Sequence, residues 1–249
     1  VSYRVRPEAY GEAFAEVYDQ MYPDHETPAT LDFLASLVEP GARVLELGAG
    51  TGRLAVPLAD RGLRVHAVDA SERMLQRLRA RDRNGAVVTV CGDFTDDVVD
   101  GEFDLCWVVC NTLFMVPDVE QQIAALRAAG THLAPGGTLV VEVYDPTFFH
   151  QLAKPELQAR HLAPDKVMLD TISVDPAEQI LTEIHTVIGA GTVSTYVEVS
   201  RYAWPAELDL MARLAGLERV ERFADWERAP FTAGAHRHVT LYRKAAGSA

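Results

Sequence analysis

Apolar positions along this chain change their period twice, and each change marks a different kind of structure. Near the N-terminus Tyr10, Phe14, Tyr18 and Tyr22 stand four apart, with Val17 and Met21 extending the stripe. Residues at that spacing share one face of a helix, so the row predicts a helix with an aromatic side. Pro23 stops it, and a second helix from about Thr30 to Val38 ends at Pro40-Gly41.

The pattern then shifts to short apolar runs alternating with helical segments. Strands are predicted at 43–48, 64–69, 86–91, 103–109 and 138–144, with helices near 52–60, 71–82 and 118–133. In the last helix Val119, Ile123 and Leu126 repeat on one face after Asp118, a residue suited to capping. The turn Pro135-Gly136-Gly137 ends that helix and starts the next strand. Alternation of this kind builds βαβ units, hence an α/β protein whose doubly wound parallel sheet carries helices on both faces.

Past residue 145 the period falls to two. Segments 166–175, 178–188 and 192–204 read as three strands, divided by Asp175-Pro176 and Gly189-Ala190-Gly191. Ile180, Thr182, Ile184, Thr186 and Ile188 alternate with more polar neighbours, the mark of a half-exposed antiparallel sheet. A helix at 205–215 and strands near 217–223 and 238–243 resume the first sheet. The expected organisation is an N-terminal helical cap over 1–40, a ligand-binding core over 41–145, an inserted β-rich lid over 146–204, and a completion of the core sheet over 205–249.

Composition narrows the partners. The 249 residues are 48% apolar and 24% charged, near the globular average, with no repeat or low-complexity tract. No apolar run approaches the roughly 18 residues of a membrane span, and the start, VSYRVRPEAYGEAF, lacks the apolar core of a signal peptide. A cytoplasmic protein with no membrane partner is expected. A net charge of −13 argues against nucleic acid, which is bound through clustered Lys and Arg. Cys91, Cys106 and Cys110 form no metal-spaced pairs and read as small buried apolar residues.

The segment LELGAGTGR at 45–53 carries the chemistry. Its glycines at 48, 50 and 52 are spaced G-x-G-x-G, so the third comes one position too early for a dinucleotide fingerprint, and no GK[ST] follows. Glu46 just before the loop would repel a pyrophosphate but suits a cationic ligand with an amino-acid portion. Asp69 ends the second strand, where a carboxylate can accept from both ribose hydroxyls, and Asp93 follows the third strand in CGDF, beside Phe94. Three acids at three successive strand ends mark the ligand-binding edge of an open α/β sheet.

ARVLELGAGTGR, VHAVDASERML, GDF and LAPGGTLVVEVYD, in this order over about residues 40–145, resemble the signature segments of class I S-adenosylmethionine-dependent methyltransferases. The resemblance implies a Rossmann-like seven-stranded sheet whose last strand is antiparallel. It also implies that Gly48, Ala49 and Gly50 let the backbone approach the methionine part of the cofactor, and that Glu46 positions that end directly or through water. By the same resemblance Asp69 holds the ribose, Ala70 and Met74 flank the adenine, Asp93 and Phe94 recognise the base, and Cys110 with Asn111 lies under the cofactor. AFAEVYDQMY, VCNTLFMVPD and the segment from RYAWPAELDL onward resemble bacterial natural-product N-methyltransferases, including those of amino sugars and antibiotics.

Methyl transfer from a sulfonium is an in-line displacement that mainly requires alignment and exclusion of water. Tyr10, Tyr18 and Tyr22 are expected to cover the cofactor, one phenol meeting its carboxylate or the acceptor, and Phe114 to pack on the acceptor. The alternative for the row is the buried face of a packing helix. No histidine follows the fourth strand; His66 and His238 fall within strands, while His185 and His236 could reach the cleft. No metal is expected, since the family's metal-dependent members carry acids after both the fourth and fifth strands, and only Asp145 is present here. The expected reaction is N-methylation of a small-molecule acceptor, with S-adenosylhomocysteine as product. O-methylation and a cofactor-binding relative without transfer activity are the alternatives; the resemblance permits homo-oligomers.

Overall fold

A computed structural model describes residues 6–22, 27–96, 99–189 and 191–245. The aromatic row forms two short helices rather than one, α1 (Ala9–Phe14) and α2 (Tyr18–Met21), with a turn at 15–17. In a straight helix Tyr10 and Tyr22 would lie about 18 Å apart, at 1.5 Å per residue. The turn instead folds the row back, so that the Tyr10 hydroxyl donates to that of Tyr22 at 3.4 Å. The stop at Pro23 lies outside the described residues; the next helix, α3, spans Thr27–Ala35.

The alternating region follows: β1 (Arg43–Leu47), α4 (Ala55–Asp60), β2 (Arg64–Asp69), α5 (Glu72–Arg81), β3 (Val88–Cys91), β4 (Phe103–Val108), α6 (Val119–Thr131) and β5 (Leu133–Tyr144). Ser71 caps α5, its hydroxyl accepting from the Met74 amide, and Asp118 caps α6 by accepting from Gln121. After α7 (Thr147–His150) come β6 (Glu156–Ala163), β7 (Lys166–Asp175), β8 (Ile180–Gly189) and β9 (Thr192–Arg201). The chain ends with α8 (Pro205–Leu214), β10 (Leu217–Phe223) and β11 (Arg237–Lys244).

The main sheet has seven strands in the order β10-β11-β5-β4-β1-β2-β3, with β11 antiparallel to both neighbours and the rest parallel. Its inner strands are buried on both faces, which explains their continuous apolar runs. Leu45, Val68, Cys106 and Val141 pack on one side, and Val44, Val65, Leu105 and Val140 on the other. Between β1 and β4 the strand order reverses, and the crevice at such a point is where open α/β sheets hold ligands.

The inserted sheet has four antiparallel strands, β6-β7-β8-β9, one more than the pattern predicts. Its extra member, ELQARHLA, shows no regular alternation because it is an edge strand exposed over much of its length. The isoleucines of β8 are also revealing. Ile184 and Ile188 are exposed, while Leu181, His185 and Val187 are buried, so the more polar phase of the strand turns inward.

Candidate active site

A cavity of about 380 Å³ opens at the C-terminal ends of the parallel strands, closed over by α1, α2 and the inserted sheet. The glycine loop forms one margin. Its path is fixed by the Gly48 and Ala49 amides, which donate to Val68 O at 2.8 and 2.9 Å. Gly48 and Gly50 line the cavity with φ of +73° and +55°, a left-handed backbone that favours glycine. A Cβ on Gly48 would collide with Thr112, whereas one on Gly50 would stand about 4 Å from the Tyr18 ring, in the space a ligand would use.

Asp69 lies at the end of β2, accepting from the Gly50 amide through Oδ2 and from the Ser71 amide through Oδ1, both at 2.8 Å. Burial raises its carboxyl above the ordinary range, against those two amides, which lower it. Each oxygen keeps lone-pair capacity toward the cavity for a diol. Ala70, Met74, Asp93 and Phe94 continue this wall; Asp93 is oriented by accepting from the Thr95 amide at 2.9 Å. Beyond β4, Cys110 and Asn111 both adopt left-handed backbone, with φ of 57° and 60°. Glu142 accepts from the Cys110 amide at 2.6 Å, and Asn111 Oδ1 accepts from the Tyr144 amide at 2.7 Å, so the strained turn is tied to β5.

Glu46 and Ala49 are not among the lining residues. Ala49 packs its side chain in the core and contributes its amide to the loop. The Glu46 carboxyl is buried with no hydrogen-bond partner at Oε2; burial pushes it up to about 8, against Trp107, Arg53 and the Ala55 amide. A buried acid with one unpartnered oxygen beneath a bare glycine loop, and a second acid placed for a diol, fit a ligand that joins a ribose to a cationic amino-acid end. The residues therefore suit S-adenosylmethionine.

The helical cap is latched onto α5 by charge. Arg73 pairs with Glu16 at 2.8 Å, and Arg77 and Arg81 reach Asp19 at 3.2 and 3.1 Å. Thr51 of the loop also donates to Asp19 at 2.7 Å. This holds Tyr10, Tyr18 and Tyr22 in the cavity lining, while Phe14 turns away to pack on His185 and Tyr196 at 5.1 Å each. The row is thus both a packing face and a cavity wall. Burial raises all three phenols, so they remain protonated near neutrality and act as hydrogen-bond donors. Phe114 also lines the cavity, fully buried, with its ring 5.1 Å from that of Tyr144.

Opposite the glycine loop, the inserted sheet presents charged groups that the sequence pattern did not single out, His185 excepted. His185 Nδ1 lies 2.7 Å from Asp170 Oδ1, and Nε2 lies 3.4 Å from Glu198 and 3.6 Å from Glu183. Arg160 closes on Asp170 at 2.9 Å. Burial alone would lower His185, but the bonds to Asp170 and Glu198 and the nearby carboxylates outweigh it and lift the imidazole to about 9. His66, His236 and His238 do not line the cavity; His238 is wholly buried and pushed down to about 3 by burial and Arg222. The pattern of β8 concealed Glu183 because a glutamate on a half-exposed strand ordinarily faces water. Its burial becomes visible only once α1 and α2 cover that face.

Taken together, fold and site define a class I S-adenosylmethionine-dependent methyltransferase. Residues 44–137 match the model of the methyltransferase domain family. The chain is 35% identical to a Streptomyces protein described as cypemycin N-terminal methyltransferase, over 91% of this chain and 94% of that one. Among solved structures it resembles the CcbJ methyltransferase of Streptomyces caelestis, with 39% identity, a TM-score of 0.90 and coverage of 97% and 100%. A Clostridium acetobutylicum S-adenosylmethionine-dependent methyltransferase shares the fold at a TM-score of 0.83 and 16% identity, covering 95% and 99%. The chain belongs to the S-adenosylmethionine-dependent methyltransferases. Among the described residues no helix is long and apolar enough to cross a membrane.

Proposed function

We propose that this enzyme methylates an amine nitrogen of a small molecule in bacterial antibiotic assembly, without a metal. The protonation state of the cavity carries the reading. An alcohol needs a base to expose its nucleophile, and a neutral amine does not. Here the phenols of Tyr10, Tyr18 and Tyr22 are raised by burial, and His185 is held charged by its carboxylates. None of these four is poised to strip an unactivated hydroxyl, and the carboxylate of Glu183 in the same cavity is too weak a base for an alcohol, though it can take a proton from an ammonium. The relative described as an N-terminal methyltransferase supports the same atom.

In this reading Asp69 holds the ribose, Ala70, Met74, Asp93 and Phe94 the adenine, and Gly48 and Gly50 the methionine portion. Tyr18, Tyr22 and Cys110 enclose that portion, with Glu46 facing its ammonium from below. Bound there, S-adenosylmethionine supplies an activated methyl group. Tyr10, Tyr18 and Phe114 align the acceptor and exclude water, and alignment of two bound reactants is worth about 7–11 kcal/mol. Free thiols at Cys91, Cys106 and Cys110 support a reducing, cytoplasmic setting.

The test is a mass-shift screen with S-adenosylmethionine over primary and secondary amines, each beside the same framework bearing a hydroxyl. A single-methyl gain on nitrogen is expected, and Tyr10→Phe should slow it about tenfold by loosening acceptor alignment. A gain confined to the hydroxyl compounds would overturn the reading.

A further inference from the structure

The wall of the inserted sheet is one positive charge short. Its titratable cavity-lining residues are Arg160, Asp170, Glu183, His185 and Glu198: three acids against two bases, so full ionisation of the acids would leave one negative charge uncompensated. Arg160 closes on Asp170, and His185 bridges Asp170 to the glutamates, 3.4 Å from Glu198 and 3.6 Å from Glu183, so the two glutamates share a single cation. Glu183 and Glu198 are direct cross-strand partners in the β8–β9 register. Like charges in that position destabilise a sheet, more so where water is partly excluded. The Tyr144 phenol lines the same cavity beside Ser200, within the field of both glutamates.

We propose that Glu183 and Glu198 bind the protonated amine of the acceptor, and that Glu183 takes its proton before transfer. This rests on the amine reading above and extends it to how the amine is recognised. An ammonium supplies the missing charge and two or more N–H donors for the facing carboxylates. Once seated, one N–H bond breaks and an O–H bond forms on Glu183, leaving the electron pair on nitrogen. That pair forms the new C–N bond as the methyl–sulfur bond breaks, its electrons remaining on sulfur. The proton on Glu183 departs to solvent with product release. Moving the proton first also removes the repulsion between an ammonium and a sulfonium.

The surrounding groups suit this role. Burial and the Glu198 charge, with Asp170 adding to them, lift Glu183 well above the ordinary carboxylate range against His185 and Arg160. Tyr22 of the cap also senses Glu198, Glu183 and Arg160, and Tyr10 senses Glu198. A base near neutrality is well placed to accept a proton and release it each cycle. His185, charged and flanked by Asp170, is a positioning residue for the two glutamates.

The test uses the whole chain and piperidinium as probe, with uncharged tetrahydropyran as its isostere. Calorimetry at pH 7 in two buffers of different ionisation enthalpy reads affinity and proton release together. Piperidinium should bind, tetrahydropyran should not, and binding should expel a fraction of a proton, because a cation favours the ionised form of a raised carboxyl. Glu198→Gln should weaken binding about tenfold, and Glu183→Gln should do the same and also abolish the proton release. S-adenosylmethionine affinity, measured on each variant, should remain at the wild-type value and shows that the fold is intact. Equal binding of the two probes, or unaltered binding in Glu183→Gln, overturns the proposal while leaving N-methylation standing. The ligand atoms of Glu183, His185 and Glu198 also lie within 4.8 Å of one another. Tight Zn²⁺ binding lost in Glu183→Gln and blocking piperidinium would overturn it in favour of a metal site. Methylation found only on oxygen would instead remove the amine reading on which it rests.

Discussion

Asp69 and Glu183 stand on opposite walls of one cavity, and their surroundings differ in kind. Both oxygens of Asp69 accept backbone amides at 2.8 Å, supplied by a glycine loop and the start of a helix. Glu183 faces a second glutamate across a strand pair and is balanced by side chains alone. The first wall is built from main chain at the end of a parallel sheet, so most single substitutions leave its geometry intact. On the second, the electrostatics change whenever one residue of an antiparallel sheet is replaced. Such a division lets one fold keep a methyl donor while its acceptor is exchanged.

The comparison breaks first at Asp69. Asp69→Ala removes the acceptor of the Gly50 amide and, with it, both contacts proposed to a ribose diol. At about 1.5–3 kcal/mol for each charged hydrogen bond, affinity for S-adenosylmethionine should fall about 100-fold or more. Calorimetry measures it, and an unchanged affinity would mean that this wall does not hold the donor.

Next in size is a pH effect at Glu46. Its carboxyl is lifted to about 8 by burial, so below that pH the folded protein holds it neutral. A cationic ligand favours the ionised form, and binding must then expel a proton. Donor affinity should rise with pH by up to about tenfold per unit and flatten above 8. In Glu46→Gln that slope should vanish. A wild-type slope that persists in the variant would place the proton elsewhere.

How much of this was legible depended on whether the signal was local. β1, β2 and the loop between them announce themselves because glycine spacing, a strand-end acid and a doubly buried apolar run fall within nine to twenty-five residues. The seven-stranded sheet followed from the same periodicities and from the resemblance. The inserted sheet was visible as period two, but its functional face was not. Glu183, Glu198, Asp170 and Arg160 come from four strands, and each alone resembles a solvated residue. Likewise, spacing placed Tyr10, Tyr18 and Tyr22 on one face, yet the turn at 15–17 that brings Tyr10 to Tyr22 has no glycine or proline to signal it.

The wall formed by the inserted sheet can be probed through stability alone. His185 is raised from 6.5 to about 9, so the folded state binds a proton more tightly than the unfolded chain. The stability it contributes is full below about pH 6.5 and is lost as pH rises through 9. His185→Gln should therefore lower the thermal midpoint by a few degrees at pH 6, the order expected of about 1 kcal/mol in a domain this size. By pH 9.5 the two proteins should converge. A constant gap across that range would show that His185 matters by packing on Phe14, from which its ring is 5.1 Å, and not by charge.

The smallest effect separates the walls by access. Cys91 is exposed at the end of β3, whereas Cys106 is fully buried and Cys110 lies in the cavity floor. Burial lifts the Cys110 thiol to about 12, even with Arg53 donating to its sulfur at 2.6 Å. The thiolate is the reactive form, so Cys110 should resist iodoacetamide at pH 8 in the native protein although it borders a cavity. Cys91 should be alkylated first, because its side chain is exposed, even though its thiol donates to the Ala70 carbonyl at 3.7 Å and is raised by burial and the Glu72 and Asp69 charges. Peptide mass mapping reads both sites. Rapid alkylation of Cys110 would show that the cap and inserted sheet open often enough to wet the floor, and the rigid donor wall would then owe its order to bound cofactor. Protection without cofactor places that order in the turn itself, where Glu142 and Asn111 tie residues 110 and 111 to β5.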